Sequence, residues 1–193
     1  MDRTESHSAA SAGDQIALGG PAFEDRLPIV WEVLAHDAPP DPLSVHESNE
    51  QLLREIESLE EHPHDLDEND PAILHELRRL DFKLNLVLNL LSDVIARNLR
   101  LPPPMPVRLY AEGIAWKADS PPPAGALIQI ELYASRRIAR PLVLRARVVA
   151  SNAALSVARF ETLPDPIAQL LDKIIFIHHR RAVANARRVA RPR

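Results

Sequence analysis

Residues 71–99 read PAILHELRRLDFKLNLVLNLLSDVIARNL, and the spacing of their apolar positions divides the chain in two. Ile73, Leu77, Leu80, Leu84, Val87, Leu91 and Val94 follow alternating steps of four and three, an unbroken heptad seam. Asp70 is a good N-cap, Pro71 suits the first helical position, and LPPPMP at 101–106 stops the helix. At 1.5 Å per residue the helix spans roughly 43 Å, longer than packing on one small domain requires. With Ile73 at d, Leu77, Leu84 and Leu91 fall at a, and Leu80, Val87 and Val94 join Ile73 at d. Leucine at a with β-branched residues at d favours four strands over two, so a homo-tetramer is expected, with a trimer left open. Leu74, Leu88, Leu90 and Ile95 widen the stripe, which suits a many-helix bundle or a seam that also docks a second helix.

Upstream, residues 44–61 read as an amphipathic helix. Ser44 and Glu47 have the capping-box spacing, Val45, Leu52, Ile56 and Leu59 share a face, and His62-Pro63 ends it. An intramolecular hairpin, with 44–61 folded back on 71–99, is the competing account of the stripe. It leaves part of a longer and wider apolar face bare, which large patches rarely are. The segment 44–99 is therefore expected to be a helical hairpin whose long arm forms an oligomeric coiled coil. LPIVWEVL at 27–34 is β-branched and apolar, a strand, and AHDAPPDPL at 35–43 is a proline-rich link, so 21–43 is assigned to a strand and linker. Residues 1–20 are rich in Ser, Ala and Gly without periodicity and are expected to be a disordered tail.

Downstream of Pro106 the period changes from helical to alternating. VRLYAEGIAW, ALIQIELYA, PLVLRARVVAS and ALSVARFETL are four runs of β character, with PPPAG at 121–125 a clear turn. IAQLLDKIIFIHHRRAVANARR then forms a helix whose buried stripe is Ile167, Leu170, Leu171, Ile174 and Ile175. Four strands are few for a closed barrel, and an open edge exposes unpaired backbone. The run Leu27–Leu34 is accordingly expected to return and pair with them, with Ile29 and Trp31 on one face and Val30 and Glu32 on the other.

The absence of cysteine from the sequence excludes a disulfide framework, a thiol nucleophile and a thiolate zinc site. The start lacks the apolar run of a signal peptide, and no stretch of 18 apolar residues occurs, so a cytoplasmic protein without membrane insertion is expected. The mild net charge of −4 hides an uneven distribution: ten acids against Arg54 alone from Glu47 to Asp70, and six arginines without an acid from His178 onward. The arginine-rich end reads first as a solvated helix end, then as a contact for the acidic segment; nucleic acid ranks last, since no aromatics are interleaved. His62, His64, Asp65 and Asp67 have the composition of a metal site but read better as a solvated turn. His178 and His179 lack a nucleophile or paired carboxylates, and Asp165 and Asp172 suit a helix N-terminal half. No glycine-rich phosphate loop is present. No catalytic residue, metal or cofactor is assigned.

The segment from about Pro106 to Arg188 resembles the PilZ family of bacterial cyclic di-GMP receptors and their non-binding relatives. LYAEGIAW resembles the strand carrying the family's Ser-x-x-Gly-Ile element, with Gly113-Ile114 in register, and GALIQIELY the strand after it. LRARVVASNAALSVARFETL resembles the hairpin ending in Val-x-Phe-x-x-Leu, here Ala158, Phe160 and Leu163, and IIFIHHRRAVANARR the closing helix. The arrangement also resembles an atypical subgroup from plant-pathogenic gammaproteobacteria in which paired helices precede the barrel. The resemblance implies a fold that is mainly β with α: a small PilZ-like antiparallel β-barrel with a C-terminal helix at 100–193, carrying the inserted hairpin. The family's ligand site requires R-x-x-x-R before the barrel and D/N-x-S-x-x-G on it. Here the second motif aligns as Arg108-x-Tyr110-x-x-Gly113, of which only the glycine survives, and the arginine pair is missing, although Arg26 sits where it would begin. The resemblance thus implies a non-enzymatic regulator that acts through an unidentified protein partner in cyclic di-GMP-related control of motility, pili or virulence, without binding the dinucleotide. A cyclic di-GMP receptor with a non-standard site is the alternative.

Overall fold

A computed structural model describes residues 18–60, 71–99 and 101–189. In chain order the elements are β1 (Phe23–Leu27), β2 (Ile29–Val33), α1 (Leu43–Glu60), α2 (Pro71–Leu99), β3 (Met105–Tyr110), β4 (Gly113–Trp116), β5 (Leu127–Leu132), β6 (Leu142–Ser151), β7 (Ser156–Phe160) and α3 (Asp165–Val189). The seven strands form one antiparallel sheet in the order β1-β3-β4-β7-β6-β5-β2.

The two ends of that order are one stretch of chain. β1 and β2 are separated only by Pro28, which has no N–H to donate to a ladder. Before it, Phe23 pairs with Leu109 and Leu27 with Met105; after it, Ile29 pairs with Leu132 and Val33 with Ile128. The Pro28 carbonyl accepts from the Tyr133 amide at 3.0 Å, tying the corner to the end of β5. No ladder joins β1 to β2, so the sheet is not closed by hydrogen bonds. Ile29 is buried and Trp31 packs on the core, whereas Val30 and Glu32 face outward, the alternation expected of this run.

The run 107–116 is two strands rather than one. Ala111 and Glu112 make a two-residue turn, and Tyr110 pairs with Gly113 across it. Gly113 is required by packing: a Cβ there would meet the backbone carbonyl of Ala158 on the neighbouring strand β7. At 121–125 the turn is where Gly125 takes φ +82°, a region that favours glycine.

One face of the sheet carries the core. Leu109 opposes Ile114, Val107 opposes Trp116, Ile130 opposes Leu144, and Leu132 opposes Leu142. Trp31 and Trp116 meet in a tilted pair with centroids 5.6 Å apart. Helix α3 closes this core with Ile167, Leu171, Ile174 and Ile175, and α1 adds Leu52, Leu53 and Ile56.

Helix α1 thereby corrects the expected hairpin. It lies against α3 and β6, not along α2. Its apolar stripe is filled by the core, and its acidic side meets the basic side of α3, where Glu57 pairs with Lys173 and Glu60 with Arg181. The helix also begins at Leu43, one residue before the expected cap, with the Val45 amide bonded to the Pro42 carbonyl at 2.9 Å. Asn49 sits in the buried stripe and has a specific task. Strand β7 pairs with β6 only from Ala146 onward, leaving the N–H and C=O of Val143 without a strand neighbour on that side. The Asn49 side chain supplies both partners: Nδ2 donates to the Val143 carbonyl at 2.6 Å, and Oδ1 accepts from its amide at 3.0 Å. Nearby, the linker is fixed by a buried pair in which Arg145 Nε lies 3.5 Å from Asp41 Oδ1, although without hydrogen-bond geometry.

Candidate functional site: an exposed helical seam and a reduced ligand face

Among the described residues, helix α2 makes no extensive contact with another element. Of its described side chains, Asn85, Leu88 and Ser92, which share one face, are the less exposed. Ser92 is buried, and its Oγ donates to the carbonyl of Arg137 in the β5–β6 connection. Leu88 lines a groove with Leu59 of α1 and with Ile138. The same connection is tied to β1 by Arg136–Asp25 at 3.0 Å and to α1 by Arg140–Glu55 at 3.0 Å.

The heptad seam is turned away from this attachment. Leu77, Leu80, Leu84, Val87, Leu91 and Val94 are all exposed, Leu84 and Val87 by 59% each. The side chain of Ile73 lies outside the described residues. Phe82, Leu86 and Leu90, outside the a and d positions, are exposed as well. A helix apolar on so many sides is normally buried.

The second candidate region is the outer face of β3, β4 and β7. Arg108 is exposed and pairs with Glu24 of β1 at 3.2 Å. Tyr110 is half-buried beside Ala115 and Val157, and Gly113 pairs with Arg159, whose guanidinium meets Glu112 at 3.0 Å. A cleft of about 590 Å³ opens here, lined among others by Arg26, Arg108, Tyr110, Lys117 and Leu155. Arg26 donates to the Pro104 carbonyl at 2.9 Å, and Glu24 and Asp25 also line the cleft, so acids offset its cations.

The remaining sequence candidates are placed elsewhere. His178 is stacked on Phe23 with ring centroids 4.0 Å apart. Burial lowers its pKa below 6.5, against a smaller upward pull from Asp25, and Glu60 lies 3.8 Å away. It is a packing residue of the α3–β1 contact. The basic end of α3 meets the acidic segment within the chain through Arg181 and Glu60. Asp165 is the first residue of α3, where its charge suits the helix dipole, and Asp172 lies within the same helix. The cluster His62, His64, Asp65 and Asp67, the N-cap Asp70 and the tail 1–17 lie outside the described residues. Among the described residues no group of three metal-ligating side chains occurs, and no helix is long and apolar enough to cross a membrane.

Residues 53–188 match the family described as atypical PilZ domain, cyclic di-GMP receptor. The chain belongs to the atypical PilZ family. A solved structure similar to it is a pathogenic PilZ-domain protein of Xanthomonas campestris, a tetramer self-assembled via an unusual helical bundle. That protein is 26% identical, with a TM-score of 0.61, and the similarity covers 84% of this chain and 90% of that one. A search of curated proteins found no match. A side chain at Gly113 is excluded first by the Ala158 carbonyl of the neighbouring strand and second by the Leu18 methyls. On this face Arg108 pairs with the equally exposed Glu24, and Tyr110 presents a phenol.

Three residues that organise these regions were not singled out in the sequence: Asn49, Ser92 and Leu18. Asn49 and Ser92 carry a readable signal, a lone polar residue on an otherwise apolar helical stripe. Leu18 carries none, because the short run Ile16-Ala17-Leu18 before two glycines is too brief to establish a period.

Proposed function

We propose that this atypical PilZ protein is a non-enzymatic regulatory scaffold. It assembles as a homo-tetramer through α2 and offers PilZ-like domains to a protein partner in cyclic di-GMP-related signalling. The observation that carries the reading is the exposed heptad seam on a helix that the described residues leave uncovered. Four strands follow from leucine at a and β-branched residues at d, and the helical-bundle tetramer of the Xanthomonas protein supports the same number. The domain division follows: 44–99 holds the oligomerising helix, and 21–43 with 100–193 forms the PilZ-like unit, read as a barrel with its corner at Pro28. In this reading the pathway is motility, pili or virulence control and the protein acts in the bacterial cytoplasm, with the family resemblance as support.

The dinucleotide is not the ligand in this reading. Charge-assisted contacts worth ~1.5–3 kcal/mol each are missing at both family motifs. Calorimetric titration with cyclic di-GMP should show no saturable binding below roughly 10 μM, about −7 kcal/mol. Saturation below that concentration sinks the scaffold-only reading. It would promote the second one, a receptor with a non-standard site, which the cleft bearing Arg26, Arg108 and Lys117 favours.

A further inference from the structure

The outer face of β3, β4 and β7 is not bare. Leu18 is only 6% exposed and packs against Ala115 and Val157, with Tyr110, Val149 and Ala150 around them. This cluster lies on the side of the sheet opposite the main core. Its floor is made of small residues: Gly113 has no side chain, and Ala115 and Ala150 have one carbon each. The Leu18 methyls lie 3.0 Å from where a Cβ of Gly113 would stand, so the missing side chain is part of the seat. The β6–β7 turn supplies the far wall. Asn152 Oδ1 accepts from the amides of Ala154 and Leu155 at 2.8 and 2.9 Å, fixing Leu155 at the edge of the cleft.

The connection from Leu18 to the sheet is a hinge in composition and in surroundings. Gly19 and Gly20 follow it directly, Gly20 has φ +96°, and nothing lies within 4 Å of where a Cβ would project from either. Between Leu18 and the sheet, neither glycine would bring a side chain into contact with the described residues. Beyond Leu18 the cleft continues, apolar in its floor and bordered by Arg26, Arg108 and Lys117.

We infer that this face is a docking trough for a peptide segment that presents an aliphatic side chain, and that Leu18 fills it in cis until such a segment displaces it. Leu18 itself shows the chemistry the seat takes, a branched aliphatic group. The inference rests on the reading of the PilZ unit as a protein-docking module and is independent of the α2 seam.

Because the protein has no cysteine, single thiols report on the seat in the full chain. Leu18→Cys is compared, in rate of labelling by a small thiol reagent, with Ala146→Cys in the core and Leu43→Cys on the surface. A displaceable occupant labels at least tenfold more slowly than Leu43→Cys and at least tenfold faster than Ala146→Cys. A rate equal to that of Ala146→Cys makes Leu18 a fixed part of the fold and overturns the inference. A rate equal to that of Leu43→Cys shows an unfilled seat and overturns it too. A second measurement tests the trough itself. Leu18→Ser should raise the bound fluorescence of anilinonaphthalene sulfonate without lowering the melting temperature, and adding Leu155→Glu should abolish the gain. No gain from Leu18→Ser means that the emptied face binds nothing apolar. Neither measurement depends on the oligomer, so failure here leaves the seam reading standing, and a monomeric protein leaves this one testable.

Discussion

Asn49 shows how much a single polar side chain settles. Where β7 ends, the two backbone groups of Val143 are satisfied by one carboxamide. Removing it leaves a buried donor and a buried acceptor, each at ~1–3 kcal/mol. Asn49→Ala should therefore lower stability by about 2–6 kcal/mol and the melting temperature by about 4–24 °C. A drop of only a degree or two would mean that water replaces the amide freely. His178 makes a different, pH-linked contribution. Its pKa is lowered in the fold, chiefly by burial against Phe23, with Asp25 pulling the other way. The unfolded chain then binds the proton more readily than the folded one. Its stabilising effect is complete above about pH 6.5 and is lost as pH falls from there through the lowered value. The melting temperature should fall more between pH 7.5 and 5.5 for the wild type than for His178→Gln; equal falls would remove His178 as the cause.

At the scale of elements, helices were more legible than their partners. The bounds of α2 follow from Pro71 and from the prolines after Leu99, both local signals. The stripe of α1 was legible too, but a stripe does not say what covers it. Leu52, Leu53 and Ile56 could meet α2 or the core, and the core holds them because α3 offers a complementary basic side. On the outer face of β3, β4 and β7, Arg108, Tyr110 and Gly113 could be named only through the resemblance to the PilZ motif, whereas the opposing Glu24 and the covering Leu18 could not be named at all, being distant in sequence. The seam of α2 makes its own prediction. Leu84→Asp puts a carboxylate at the centre of the stripe, costing several kcal/mol per chain in a dry bundle. Light scattering should find a dissociated species with an intact far-ultraviolet spectrum. Retention of the wild-type mass would show that the seam is not the interface.

At the scale of the molecule, the strand at 27–34 was legible from composition, but its double allegiance was not. Neither its length nor its alternation announces that Pro28 hands the chain from β3 on one side to β5 on the other. That requires knowing where both sheet edges stand, which is a tertiary fact. The split of 107–116 into two strands escaped for a related reason: Ala111-Glu112 is not a composition that marks a turn. Deleting residues 1–36 removes β1 and β2 together, with the buried Phe23, Leu27 and Ile29. At ~1.5–3 kcal/mol each these side chains account for about 5–9 kcal/mol, comparable with the whole stability of a domain. The truncated chain should aggregate or fail to melt cooperatively in calorimetry. A cooperative transition at the wild-type temperature would show that the sheet does not need its two edge strands.

The corner at Pro28 also imposes an order in time. Ile29–Val33 is made early, but its partner Leu127–Leu132 leaves the ribosome about a hundred residues later. At typical synthesis rates that is a wait of roughly 5–20 s. Helix α2 is complete well inside that interval, with its leucines uncovered and its sheet still lacking a second side. If α2 is the interface proposed above, neighbouring nascent chains on one messenger meet through it before any of them has a finished sheet. Assembly would then begin on the polysome, ahead of folding, among siblings from the same transcript.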